Sequence, residues 1–225
     1  IFVKYILIFN GKCCNKRMTK LNLLDKIIVE IEYAIDTIHD KAVSEQSNKF
    51  IKNKDDLTLE DKSKSERLMR VNHMGEVCAQ GLYRGQAYLS KDEKNKIQLY
   101  KMCQEEREHL KICRTRLDEL KGRGSLLNGV WYASSFLLGA VAGISGEKYG
   151  AGFIEETEKQ VSKHLDDSME MLPKNDFRSR DILKYIKDDE EKHEKTAKQM
   201  GSKELPDNYK KVMADLSNIM KDITY

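Results

Sequence analysis

Proline occurs only twice in the 225 residues and tryptophan once. So little proline leaves long stretches free to run as uninterrupted helix. The five cysteines, Cys13, Cys14, Cys78, Cys103 and Cys113, contain no Cys-x-x-Cys pair, which argues against a thiolate zinc site. Their odd number and irregular spacing favour free thiols in a reducing compartment. The formal net charge is only +3, and no basic-aromatic pattern of an RNA or DNA module is present, so no nucleic-acid partner is expected. Acid is missing from residues 1–24, and charge of either sign is missing from residues 124–146.

What is present is charge and helical periodicity. Charged residues make up 34% of the chain, as expected of helices with long solvated faces. Residues 1–24 carry Lys4, Lys12, Lys16, Arg17 and Lys20 beside the apolar Phe2, Val3 and residues 5–9. This stretch reads as the remnant of an organelle transit peptide or as a plain basic tail. Residues 25–63 read as an amphipathic helix, with Ile27, Ile28, Ile31, Ala34, Ile35 and Ile38 on one side, followed by a polar linker. Residues 64–225 form the main domain. The periodicity predicts helices from about Lys64 to Ser90, Asn95 to Leu120, Ala151 to Met171 and Arg178 to Met200, with a last helix opened by Pro206.

The second and fourth of these helices carry the same unit, Glu106-x-x-His109 and Glu190-x-x-His193. Residues three apart share a helix face, so each unit points a carboxylate and an imidazole the same way. Two such units, plus one lone Glu from each of two further helices, make the ligand set of ferritin-like di-iron bundles. Glu76 and Glu158 are the candidates, with Glu155 and Glu156 not excluded by spacing alone. The intervals Glu76 to Glu106 and Glu158 to Glu190 are nearly equal and suit two antiparallel hairpins. The longer interval between them suits a crossover. Among 37 acidic residues a single Glu-x-x-His usually marks a solvated face, but two at compatible spacing point to a metal site. Four carboxylates with two imidazoles and no thiolate favour iron or manganese over closed zinc. Glu105, Glu108, Glu191 and Glu194 are expected to face solvent.

The uncharged stretch 124–146 has three readings. A transmembrane helix would divide the ligands between two sides of a membrane. A purely buried crossover needs no membrane. A crossover with its apolar side in a membrane interface would place Trp131 and Tyr132 at headgroup depth. Gly139 and Gly143 form a Gly-x-x-x-Gly pair that permits close helix approach.

Arg70-Val71-Asn72-His73-Met74-Gly75-Glu76, followed by Ala79, Tyr83, Gly85 and Gln86, resembles the signature of the demethoxyubiquinone hydroxylase family. The likeness covers about residues 64–220. The family's Glu-x-x-His units match Glu106/His109 and Glu190/His193, and its third-helix pattern matches Glu158, Val161, His164 and Leu165, which selects Glu158. Asn72 stands where the family has Asp, Met74 replaces Ala, and Leu165 replaces Tyr.

The resemblance implies an all-α, ferritin-like four-helix bundle with a long crossover between helices 2 and 3 and additional helices. It implies a flavin-independent di-iron monooxygenase whose ligands are Glu76, Glu106, His109, Glu158, Glu190 and His193. Two iron ions, dioxygen and electrons from NADH or reduced quinol would hydroxylate the ring of a polyprenylated quinone precursor of ubiquinone. The expected location is the matrix side of the mitochondrial inner membrane, peripherally attached, with a lipid-binding partner protein and a homo-oligomer as further expectations. The alternatives are a ferroxidase on the same bundle and a non-catalytic membrane-peripheral scaffold. Asp188 is a candidate to orient His109 or His193, or a solvated acid. His164 is a candidate partner of the centre or a packed histidine, Tyr83 a relay or core residue, and His73 a structural residue.

Overall fold

A computed structural model describes residues 22–39, 44, 50 and 55–225. The expectation for residues 1–24 therefore lies almost wholly outside the described residues. All regular structure among the described residues is helical, apart from a single 3-10 residue at Phe50, and no strand occurs. The seven α-helices among the described residues are α1 (Leu23–His39), α2 (Leu59–Leu89), α3 (Glu93–Glu119), α4 (Asn128–Ile144), α5 (Glu147–Met171), α6 (Phe177–Gln199) and α7 (Asp207–Thr224). Two compact units divide the chain, residues 1–36 and 37–225. Helix α1 shows a stripe of exposed apolar side chains at Leu24, Ile28, Ile31 and Ile35, the helical spacing of an amphipathic face.

Helix α2 begins at Leu59, earlier than the polar composition suggests. The reason is a capping box: the Thr58 hydroxyl accepts from the Asp61 backbone N–H, and the Asp61 carboxylate accepts from that of Thr58. At 31 residues it is about 46 Å long at 1.5 Å per residue. Asp92 caps α3 through the backbone N–H groups of Lys94 and Asn95, so only a short turn separates α2 from α3. Asp176 caps α6 through Ser179. Gly146 starts α5 at a φ of 96°, a left-handed conformation that favours glycine.

Helices α2, α3, α5 and α6 form the four-helix bundle. Their apolar stripes meet in a core containing Leu68 and Met69 (α2), Ile112, Cys113 and Leu117 (α3), Leu165 (α5), and Ile182, Leu183 and Ile186 (α6). Full burial of each such aliphatic side chain contributes about 1.5–3 kcal/mol. One end of the bundle is tied by ions. The Arg116 guanidinium donates to Asp176 at 2.8 Å, Asp55 at 2.7 Å, Glu119 at 3.2 Å and the Ser179 hydroxyl at 2.8 Å.

The crossover α4 lies backbone to backbone on α2. A Cβ at Gly85 or Gly139 would fall on the carbonyl oxygen of Phe136 or Leu82, so both helices need glycine at the contact. The buried side of α4 is Tyr132, Ser135, Ala140 and Ala142, while Val130, Leu137, Val141 and Ile144 are more than half exposed. That corrects the reading of a purely buried crossover. The transmembrane reading is also overturned, because no helix among the described residues is long and apolar enough to cross a membrane.

Candidate metal centre

Glu76 on α2, Glu106 and His109 on α3, Glu158 on α5, and Glu190 and His193 on α6 converge inside the bundle, each at most 4% exposed. They form two overlapping groups. Glu76, Glu106, His109 and Glu190 offer one ligand atom each, all within 4.8 Å of one another, and so do Glu106, Glu158, Glu190 and His193. Glu106 and Glu190 belong to both groups; Glu76/His109 and Glu158/His193 each belong to one. Glu155 and Glu156, by contrast, turn outward to Lys159 and Gln160.

Both imidazoles turn Nδ1 inward. His109 Nδ1 lies 3.0 Å from Glu106, 3.5 Å from Glu190 and 3.9 Å from Glu76. His193 Nδ1 lies 2.7 Å from Glu106 and 3.3 Å from Glu190. Each Nε2 turns outward to a carboxylate of the opposite unit: His109 to Asp189 at 3.1 Å and His193 to Glu105 at 3.1 Å. The residue preceding each Glu-x-x-His unit thus orients the histidine of the other. The carboxylate in this role is Asp189, while Asp188 is exposed. Glu105 reaches His193 although its side chain is 45% exposed, and Glu108 is half-buried against the Ser44 hydroxyl. Neither is a plain solvent-facing acid. Glu191 is exposed, and Glu194 pairs with Lys198 at 2.5 Å. The doubled acid in Glu105-Glu106 and Asp189-Glu190 was the available signal; spacing alone did not say that the first member would cross to the other unit.

Burial raises the carboxyls of Glu76 and Glu158 well above the ordinary range; the charge of Glu190 adds to both, that of Glu106 to Glu76, and that of Glu76 to Glu158. Burial also pushes up Glu106 and Glu190, but the two imidazoles outweigh it and hold both below the ordinary value. Burial works against a charged His109 or His193, yet the surrounding carboxylates keep both above the ordinary imidazole range. The cluster therefore holds positive charge in place, as protons or as metal. Glu158 Oε1 is sealed from solvent with no hydrogen-bond partner, an orphan acceptor that a cation between Glu158, His193 and the shared carboxylates would satisfy. Four carboxylates and two imidazoles neutralise most of the charge of two divalent ions, so the donor set fits such a pair.

A cavity of about 680 Å³ reaches this cluster. Glu76, Glu158 and Glu190 form part of its wall; Leu82, Val141, Phe153, Val161, Val212 and Leu216 are among its apolar lining. It runs between α2, α4, α5 and α7. His73 is buried outside both ligand groups, its pKa lowered to about 4 by burial and then by Arg114. Tyr83 is fully buried in the core. Cys78, Cys103 and Cys113 form no disulfide among the described residues, while Cys13 and Cys14 lie outside them.

Comparison with known proteins adds a family. The sequence model of the family described as ubiquinone biosynthesis protein COQ7 matches residues 63–224. A 3-demethoxyubiquinol 3-hydroxylase of Xanthomonas euvesicatoria pv. vesicatoria is 45% identical over 203 residues, covering 90% of this chain and 94% of the relative. One of Francisella philomiragia subsp. philomiragia is 44% identical over 209 residues, covering 92% and 99%.

Proposed function

Because the chain belongs to the ubiquinone biosynthesis protein COQ7 family, we propose that it hydroxylates the ring of a demethoxyubiquinol in ubiquinone biosynthesis, using two iron ions held by the six buried side chains. Glu76 and His109 would hold one ion, Glu158 and His193 the other, and Glu106 and Glu190 would be shared. The observation that carries this reading is the pair of four-ligand groups with two carboxylates in common. When bound and reduced, such an ion pair supplies dioxygen binding and activation. NADH or the quinol itself supplies the electrons; one oxygen atom enters the ring and the other leaves as water.

The chain's own residues set the conditions for that chemistry. Burial of all six ligands keeps bulk water from the centre. Asp189 and Glu105 hold the imidazoles with Nδ1 inward. The mainly apolar cavity brings a ring to the carboxylate wall and leaves room for the start of an isoprenoid tail. The exposed apolar residues Leu137, Val141 and Ile144 of α4, with Val212, Leu216 and Ile219 of α7, support attachment to a lipid surface from which such a tail enters. A lipid-binding partner protein and self-association would use the same kind of surface. Mitochondrial placement rests on the family resemblance and on the basic, acid-free residues 1–24, and a reporter fused to those residues tests it.

The decisive experiment mixes iron-loaded protein with a short-tail demethoxy-quinol, reductant and ¹⁸O₂. One labelled oxygen in the ring supports the reading. Consumption of oxygen with oxidation of ferrous iron and no ring product would favour the ferroxidase alternative instead.

A further inference from the structure

Besides the carboxylates, the cavity wall holds a row of neutral polar groups joining α2 to α5. Asn72 Nδ2 donates to the Leu68 carbonyl at 2.8 Å and reaches Ser168 Oγ at 3.4 Å. Ser168 Oγ in turn lies 3.4 Å from His164 Nε2. Asn72 and His164 both line the cavity, and Ser168 is fully buried behind them.

One arrangement of the hydrogens in this row leaves no donor on the sealed Ser168 unpaired. An amide NH₂ donates and never accepts. One of its hydrogens goes to the Leu68 carbonyl, so the nitrogen faces that way, and the other goes to Ser168. Ser168 Oγ then accepts from Asn72, and because no other acceptor lies within reach of its hydroxyl among the described residues, its own hydrogen is directed to His164 Nε2. A nitrogen that accepts carries no proton, so the single proton of the neutral imidazole sits on Nδ1. Burial, followed by the Lys221 ammonium, holds the pKa of His164 down to about 4 against the opposing charge of Asp167, so the ring is neutral at physiological pH. Nδ1 has no hydrogen-bond partner among the described residues.

We infer that His164 presents Nδ1–H to the cavity as a hydrogen-bond donor for an oxygen on the substrate ring, with its tautomer set by the Asn72 amide through Ser168. The inference rests on the substrate reading above for its ligand and on geometry alone for its tautomer. His164 is a positioning residue: it lies six residues beyond Glu158 on α5, about 1.7 turns, and fixes which ring edge meets the carboxylate wall. The arrangement depends on an amide at position 72, where the family pattern has Asp. An ionised carboxylate there would accept the Ser168 proton. Ser168 would then accept from His164 Nε2–H, and Nδ1 would become a bare acceptor.

The test is long-range ¹H–¹⁵N correlation on the full chain labelled with ¹⁵N-histidine and loaded with zinc to stay diamagnetic. The His164 signals are assigned by their loss in His164→Gln. The wild type is expected to show protonated Nδ1 and bare Nε2, with the pattern reversed in Asn72→Asp and the bias lost in Ser168→Ala. A wild type protonated on Nε2, or one pattern shared by all three proteins, overturns the assignment. In parallel, a short-tail demethoxy-quinone and the same molecule without its ring oxygens are titrated into zinc-loaded protein. The wild type should prefer the oxygenated ring about tenfold, the worth of one hydrogen bond, and His164→Phe should lose that preference. Retention of the preference in His164→Phe overturns the role of His164. Binding of neither molecule to the wild type overturns the quinone ligand, here and in the proposed function, while the tautomer is still decided by the spectra.

Discussion

Removing Asp189 should weaken one metal position and spare the other. His109 Nε2 depends on the Asp189 carboxylate 3.1 Å away, and that side chain is only 21% exposed, so water does not readily replace it. His109 belongs only to the group that includes Glu76, whereas His193 belongs only to the group that includes Glu158. Loss of the carboxylate behind a ligating histidine typically costs 10–100-fold in metal affinity, or about 1.4–2.7 kcal/mol at 1.36 kcal/mol per decade. Asp189→Ala should therefore turn a two-ion titration into one with a tight and a weak step about 10–100-fold apart. Glu105→Ala should give a smaller separation, because the Glu105 side chain is 45% exposed and solvent can serve His193 in its place. The assay is competitive titration of anaerobic, metal-free protein with ferrous ion against a chelator of known affinity. Equal weakening of both steps in Asp189→Ala, or a larger effect from Glu105→Ala, would refute the crossed pairing of acids and histidines.

Metal uptake should strengthen as pH rises. The raised pKa values of Glu76, Glu158, His109 and His193 mean that protons occupy these groups at low pH and must leave when cations enter; calorimetry in buffers of different ionisation heat should detect their release, and pH-independent affinity would contradict it. Arg116→Met should cost about 3–5 kcal/mol, because it leaves Asp176 buried and uncompensated; adding Asp176→Asn should recover part of that, read by denaturant unfolding, and a loss below about 1 kcal/mol would show that the ion cluster is not a buried pair in solution. His73 is held neutral with a pKa lowered from 6.5 to about 4, so the unfolded chain binds the extra proton and stability falls as pH drops from 6.5 to about 4; His73→Gln should flatten that part of the stability profile of metal-free protein. Gly139→Leu should displace α4 from α2, lowering stability and opening the cavity, with a solvatochromic dye reporting the change.

The six candidate ligands were legible because a helix repeats its faces on a known period. Glu106 with His109 and Glu190 with His193 share a face by spacing alone, and the hairpin intervals place the two units at one level. The choice of Glu158 over its neighbours needed the family likeness; in the structure Glu158 joins the buried cluster, while Glu155 and Glu156 turn to Lys159 and Gln160. Asp188, read as an orienting carboxylate or a solvated acid, is the exposed acid, and its neighbour Asp189 does the orienting; one residue is a rotation of about 100° on a helix, finer than an apolar stripe fixes. The start of α2 was misplaced because Thr58 and Asp61 lie within a run of charge that masks their capping role. The glycine pair on α4 signalled a close approach, but nothing local to Gly139 named Leu82 and Gln86 as its partners. Such contacts come from the fold and not from spacing along the chain.

Iron content per chain after anaerobic ferrous loading, in the wild type, Glu76→Ala and Glu190→Ala, reports whether six buried side chains gather two iron ions through two shared carboxylates. Two ions in the wild type, about one in Glu76→Ala and fewer still in Glu190→Ala are the expected values. A wild type that retains one ion or none, or a Glu190→Ala protein that still holds two, would contradict it.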